Sequence, residues 1–226
     1  AARAELADTA ALWSDAQLNR ALDETVADIT RLMPLEKFWD KTFRLDVDSE
    51  AFTSAAAGTA KALANKAIKH KSEVVTNVAV TVTYVRDTDY SMDYPNGTIT
   101  VLSGGSMLGA TAYVISYDCS PIALDISSLT TMLAPLRVEI QRADVPQEYR
   151  SFYRFGDLLY LGASQGKSQE MLSDKDHIAL YYHAQHTAPT DSVVGTYPRF
   201  LDEVVVKGVV AYSLFIKHRQ RNLQAV

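Results

Sequence analysis

The sequence predicts an α+β protein: N- and C-terminal helices packed as a bundle, with a large antiparallel β insertion between them. Three stretches carry the prediction. From Ser14 to Met33 the apolar residues Leu18, Ala21, Leu22, Val26, Ile29 and Leu32 recur at spacings of three and four, the mark of an amphipathic helix. From Val78 to Asp118 the chain alternates apolar and polar residues around the segment YPNGTI, its strongest turn signal. After Pro198, the residues Phe200, Leu201, Val204, Val205, Val209, Tyr212, Leu214, Phe215 and Ile216 make one helix apolar around most of its circumference. The expected parts are residues 1–35 (helical), 36–190 (β-rich) and 191–226 (terminal helix packing on the first part).

In chain order, Ser14 and Asp15 are N-cap candidates, and Pro34 stops the first helix because the residue before a proline avoids helical geometry. Phe43, Leu45 and Val47 alternate and predict a strand. Ser54 to Thr76 reads as short strands with turns, although Ala62–Ile68 also suits a helix. Val78, Val80, Val82 and Tyr84 predict the next strand, which leads through the Pro95-Asn96-Gly97 turn to Thr98–Leu102. Ser103-Gly104-Gly105-Ser106 breaks the alternation, and Thr111–Tyr117 resumes it. Leu136–Gln141 and His177–His183 alternate as strands, and Phe152–Gly162 is an apolar stretch turned at Gly156-Asp157. Gly162–Lys167 is expected as a loop, with one helical turn over Ser168–Ser173. Pro198 suits a first helical position, and Lys217, His218, Arg219 and Arg221 suit the negative end of the helix dipole.

Composition narrows the function classes. The net charge of −5 argues against a dedicated nucleic-acid binder, which carries a basic face, but is compatible with a protein that merely surrounds nucleic acid. The single cysteine, Cys119, rules out an internal disulfide and points to a reducing compartment, or a particle assembled in one. The Ala-rich, mixed-charge start AARAELADTA does not read as a signal peptide, and no run approaches the ~20 apolar residues needed to cross a bilayer. The expectation is a soluble protein with no membrane partner, whose Ala1 follows a removed initiator Met.

Catalytic and ligand motifs are sparse. His177, His183 and His186 fall close together, but strand geometry turns His186 away from the other two, and a zinc site needs converging ligands. Asp87, Asp89 and Asp93 with Asn96 form a loose oxygen cluster without calcium-loop spacing; turn polarity is the favoured reading, with a structural cation left open. SGGSMLG lacks the lysine and following helix of a phosphate loop. No nucleophile elbow is present. No cofactor, metal or catalytic residue is assigned. A hydrolase on a β scaffold would have to rely on His183 and His186. The twelve tyrosines lie mostly in the β part, as half-buried sheet residues or as a polar-tipped contact surface.

The pattern D-Y-x-x-D-Y-x-x-G-x-I, carried by Asp89, Tyr90, Asp93, Tyr94, Gly97 and Ile99 and closed at Ser116-Tyr117, resembles a module of structural proteins of tailed bacteriophages. The start WSDAQLNRALDETVADITRLMP and the end TYPRFLDEVVVKGVVAYSLFIKHRQRN look like the terminal helices of head–tail connector (adaptor or neck) proteins of tailed double-stranded DNA phages. The large β part departs from the small helical adaptors of that class. The resemblance implies a virion protein of the phage neck, assembled in the host cytoplasm. It implies a homo-oligomeric ring, a dodecamer, that contacts the portal protein on one side and a tail or tail-terminator protein on the other, while DNA passes through without sequence-specific binding. The residues expected at subunit contacts are Leu18, Leu22, Val205, Val209, Tyr212, Phe215, Arg219 and Arg221. The competing expectation is a tail-associated β-rich module that recognises a host surface or carbohydrate.

Overall fold

The computed structural model describes residues 2–6, 13–142, 144–162, 171–190 and 192–224, with the side chains of residues 3 and 220–224 outside the description. The expected loop at Gly162–Lys167 falls outside it after Gly162, as do residues 168–170 of the expected turn. In chain order the elements are α1 (Ala2–Glu5), α2 (Asp15–Leu32), β1 (Leu35–Thr42), β2 (Asp46–Thr53), β3 (Ala60–Ala62), β4 (Val74–Asn77), β5 (Tyr90–Asp93) and β6 (Thr98–Val101). There follow β7 (Ala112–Asp118), β8 (Ala123–Asp125), β9 (Met132–Ile140), β10 (Glu148–Arg150), β11 (Phe152–Phe155), β12 (Leu158–Leu161), β13 (His177–Ala184) and, after a 3-10 turn over Arg199–Leu201, α3 (Asp202–Gln224).

The α+β expectation is therefore corrected. Among the described residues the fold is mostly β, with thirteen strands in four sheets and two long helices, one near each end. No helix alternates with the strands, so the helical ends do not set the class. The sheet orders are β1-β13-β9-β10, β11-β12-β8, β2-β7-β4 and β3-β6-β5. The chain divides into two compact units, one of Ala1–Lys37, Thr131–Leu136 and Tyr182–Val226, the other of Phe38–Thr130 and Arg137–Tyr181.

In the first unit, Ser14 caps α2 with a reciprocal box: its Oγ accepts the Gln17 amide (3.3 Å), and the Gln17 side chain accepts the Ser14 amide (2.9 Å). Ala21 and Ile29 of α2 bury against Val205 and Val209 of α3. The helices come close because small residues face each other. A Cβ on Gly208 would lie 2.4 Å from Thr25 Cγ2, so only glycine fits there. Trp13 Nε1–H donates to the Ser213 carbonyl (3.2 Å), and Lys217 Nζ lies 4.4 Å from the Trp13 ring centroid, tying the segment before α2 to α3. Pro198 caps the 3-10 turn and not α3 itself, which starts four residues later.

In the second unit, β7 is the central strand between β2 and β4, and it alternates Tyr113, Ile115 and Tyr117 inward. β5 and β6 form the hairpin around Pro95-Asn96-Gly97. Gly97 has φ of +61°, and a Cβ there would lie 1.9 Å from the Asn65 carbonyl, so both turn geometry and close approach demand glycine. Two strand expectations are corrected. Phe43–Val47 does not form one strand: β1 ends at Thr42, and Phe43 is buried in the connection, its amide and carbonyl bonded to Asp176 and Lys175. Val78–Tyr84 is not a strand either. β4 stops at Asn77, whose side-chain oxygen accepts the Thr81 (2.8 Å) and Val82 (3.1 Å) amides that a sheet neighbour would otherwise take.

Candidate functional site

Helix α3 carries the most informative surface. Its inner side is spent within the chain. Val205 and Val209 are buried, Leu18, Leu22 and Tyr212 pack partly buried around them, and the Tyr212 hydroxyl donates to Asp28. Five of the eight residues expected at a subunit contact thus serve the helix pair. Phe215 and Arg219 are exposed, and Arg221 lies on the last turn, where side chains are outside the description. The outer side remains apolar: Val204 (52% exposed), Leu214 (52%) and Phe215 (66%) lie on one face with Ala211, and Phe200 (76%) extends it through the 3-10 turn. On this side Lys207 pairs with Glu203, an exposed i,i+4 contact worth a few tenths of a kcal/mol. Sequence periodicity marked all these residues as apolar but did not show which side α2 covers.

The stretch from Glu73 to Tyr94 contains a buried polar knot. Glu73, whose side chain is 1% exposed, accepts at one oxygen from Arg86 (3.0 Å), Tyr94 (3.1 Å) and Tyr90 (3.4 Å), and Arg86 also donates to the Tyr94 hydroxyl (2.9 Å). Burial, then the Glu73 charge, raises the Tyr90 phenol well above its ordinary value. These tyrosines act as donors to a buried carboxylate. The sequence reading assigned Glu73 no role; the clue was a glutamate entering an apolar strand thirteen residues before Arg86.

The aspartates of the loose oxygen cluster, read from the sequence as turn polarity with a cation left open, are engaged within the chain, Asp87 with Arg86 at 3.6 Å. Asp89 is buried, and its two oxygens accept the backbone amides of Val85 (2.7 Å) and Ser106 (2.6 Å), which holds its pKa below the ordinary carboxylate value. Asp93 caps its own turn by accepting from Asn96 at backbone and side chain, and Asp87 is exposed with φ of +62°. Among the described residues no group of three or more His, Cys, Asp or Glu converges to hold a metal.

A depressed folded pKa stabilises above the ordinary value and is lost as pH falls through the folded one. Asp89→Asn removes this dependence and puts an NH₂ against a backbone N–H. The variant is expected to be less stable at neutral pH, with a flatter acid limb in a tyrosine-fluorescence titration. An unchanged acid limb would show that another group carries it.

The histidines separate as well. His186 is buried, with Nε2 3.0 Å from the Met33 carbonyl, which fixes it as the donor, and Nδ1 3.2 Å from Thr196 Oγ1. It pins the chain after β13 beside a groove of about 820 Å³ lined by Asn19, Leu22, Asp23, Gln185 and Thr187. His177 is exposed and faces Thr42, and His183 is half-buried on β13. Cys119 is buried and its thiol is pushed up to about 11 by that burial, so it stays protonated at neutral pH.

Comparison with known proteins found no matching family model, no similar curated protein and no similar solved structure. Among the described residues no helix is long and apolar enough to cross a membrane.

Proposed function

We propose that this chain is a structural subunit of a homo-oligomeric ring in the neck of a tailed phage particle, placed between the portal and the tail and enclosing the DNA path. The observation that carries the reading is α3. One side packs on α2, while the other presents Phe200, Val204, Leu214 and Phe215 to solvent. A contiguous apolar patch on a protein surface is often functional, and contact with another protein is the use that suits this one. The sequence resemblance supplies the particle, with a dodecamer as the ring it implies. The net charge of −5 suits a channel that DNA slides past, since contacts to phosphate need lysines and arginines in excess.

Imaging of the purified protein, alone and mixed with portal rings, tests the reading. Closed rings of this chain seated on the portal support it. Labelling of particles at the tail tip, with no rings formed, overturns it. A second reading, host-surface recognition, rests on the β11–β12 hairpin. There Tyr153 and Tyr160 stack at 4.9 Å, with Tyr153 and Phe155 largely exposed, a platform that suits a sugar face. Glycan binding lost in Tyr153→Ala would favour it.

A further inference from the structure

We infer that the segment from Asn77 to Arg86 is an assembly finger that seats against the α3 stripe of the next copy of this chain. The inference rests on the ring reading above. Residues 77–85 (NVAVTVTYV) contain no charge, and Val78, Val80, Val82 and Val85 are 62%, 67%, 46% and 59% exposed. Val74 at the end of the adjoining edge strand is 50% exposed. An exposed loop ordinarily meets water with polar side chains. This one is fastened from within and turns its valines outward.

The fastenings are specific. Asn77 donates its backbone N–H to the Val82 carbonyl (3.1 Å), and its side chain holds the Thr81 amide and hydroxyl together with the Val82 amide. Tyr84 N–H bonds the Val75 carbonyl, and its ring meets Tyr113 edge-on at 5.2 Å. Asp89 holds the Val85 amide, and the Glu73–Arg86 pair closes the base. At the tip, Val80 sits at φ of +55°, a conformation costly for a β-branched residue and cheap for glycine or asparagine. Strain of this kind is kept where surrounding structure enforces a shape that is used.

The tip of the finger has neither an aromatic platform for a sugar nor a cation for a phosphate, Arg86 being held at the base by Glu73, so an apolar protein surface is its match. Two arguments make that surface a second copy. Symmetry is the first. A ring grows through head-to-tail contacts in which two different patches of one chain meet, whereas α3 against α3 would close a two-fold dimer. Area is the second. With ~150–250 Å² on a whole aromatic side chain, the four exposed residues of the α3 stripe offer on the order of 450 Å². The five valines offer a similar amount. Together they approach the roughly 57% apolar share of a standard interface of about 1,600 Å². Either patch alone falls well short.

The test uses full-length Val80→Cys and Ala211→Cys variants, which leave the Phe215 anchor in place, with a short bismaleimide; Ala211 is exposed on the same face of α3, and the native Cys119 is buried. Both substituted side chains are exposed, so the fold is retained. The expected result is a covalent dimer when the two variants are mixed, and none when either is treated alone. Cross-linking of either variant to itself would overturn the inference by showing a two-fold contact. Rings that form without the mixed cross-link would overturn the finger assignment and leave the ring reading standing. Monomers throughout, by mass photometry, would remove the ring reading and the inference with it.

Discussion

Phe215→Glu is expected to abolish assembly while leaving the monomer folded. The side chain is 66% exposed in the isolated chain, so the change costs α3 little by itself. In the assembled state it would bury a carboxylate in an apolar contact without a partner. Truncation of a buried aromatic anchor typically costs ~2–4 kcal/mol, and about 2.8 kcal/mol is a hundredfold in the dissociation constant. An added buried charge acts in the same direction. Mass photometry should therefore show single chains where the wild type shows rings, with an unchanged far-UV circular dichroism spectrum. Wild-type assembly in this variant would mean that α3 lies outside the subunit contact.

The largest effect on stability is expected at Ile115. It is 0% exposed on β7, where it lies opposite Glu50 of β2 and Val75 of β4. Ile115→Ala leaves a cavity in close-packed surroundings and should cost about 2–5 kcal/mol. Val114, half-buried on the opposite face of the strand, is the matched comparison and should cost under about 1.5 kcal/mol as Val→Ala. Urea unfolding followed by near-ultraviolet circular dichroism separates the two. Equal midpoints for both variants would show that β7 is not the packing centre of its sheet.

What could be read from the sequence was local. The N-cap at Ser14, the Pro95-Asn96-Gly97 turn and the Gly156-Asp157 turn each rest on chemistry within a few residues of the chain. The fold class was not legible, because two strong helical signals at the ends outweighed strands of three or four residues whose partners lie far away. β3 pairs with β6 across Lys61↔Ile99, and β8 with β12 across Leu124↔Leu159, and periodicity over so few residues carries little information. The valine stretch misled for a definite reason. Alternation predicts a strand only if a neighbour takes the backbone amides. Here Asn77 takes two of them, and Val80 adopts a left-handed conformation that no strand contains.

The candidate site followed the same logic. Periodicity identified α3 as apolar on nearly all sides, but the division into an inner row of Val205 and Val209 and an outer row of Val204 and Phe215 depends on where α2 lies. The buried Glu73 cluster was invisible for a related reason, since its members are brought together by the fold and separated in the chain.

In the proposed ring a second copy of this chain covers the exposed stripe of α3. The most direct measurement is the native mass of the purified full-length protein across a dilution series, with and without portal rings. The expected result is a discrete ring mass, a whole multiple of one subunit, that shifts to single chains in Phe215→Glu. Single chains at every concentration, with no binding to the portal, would contradict it.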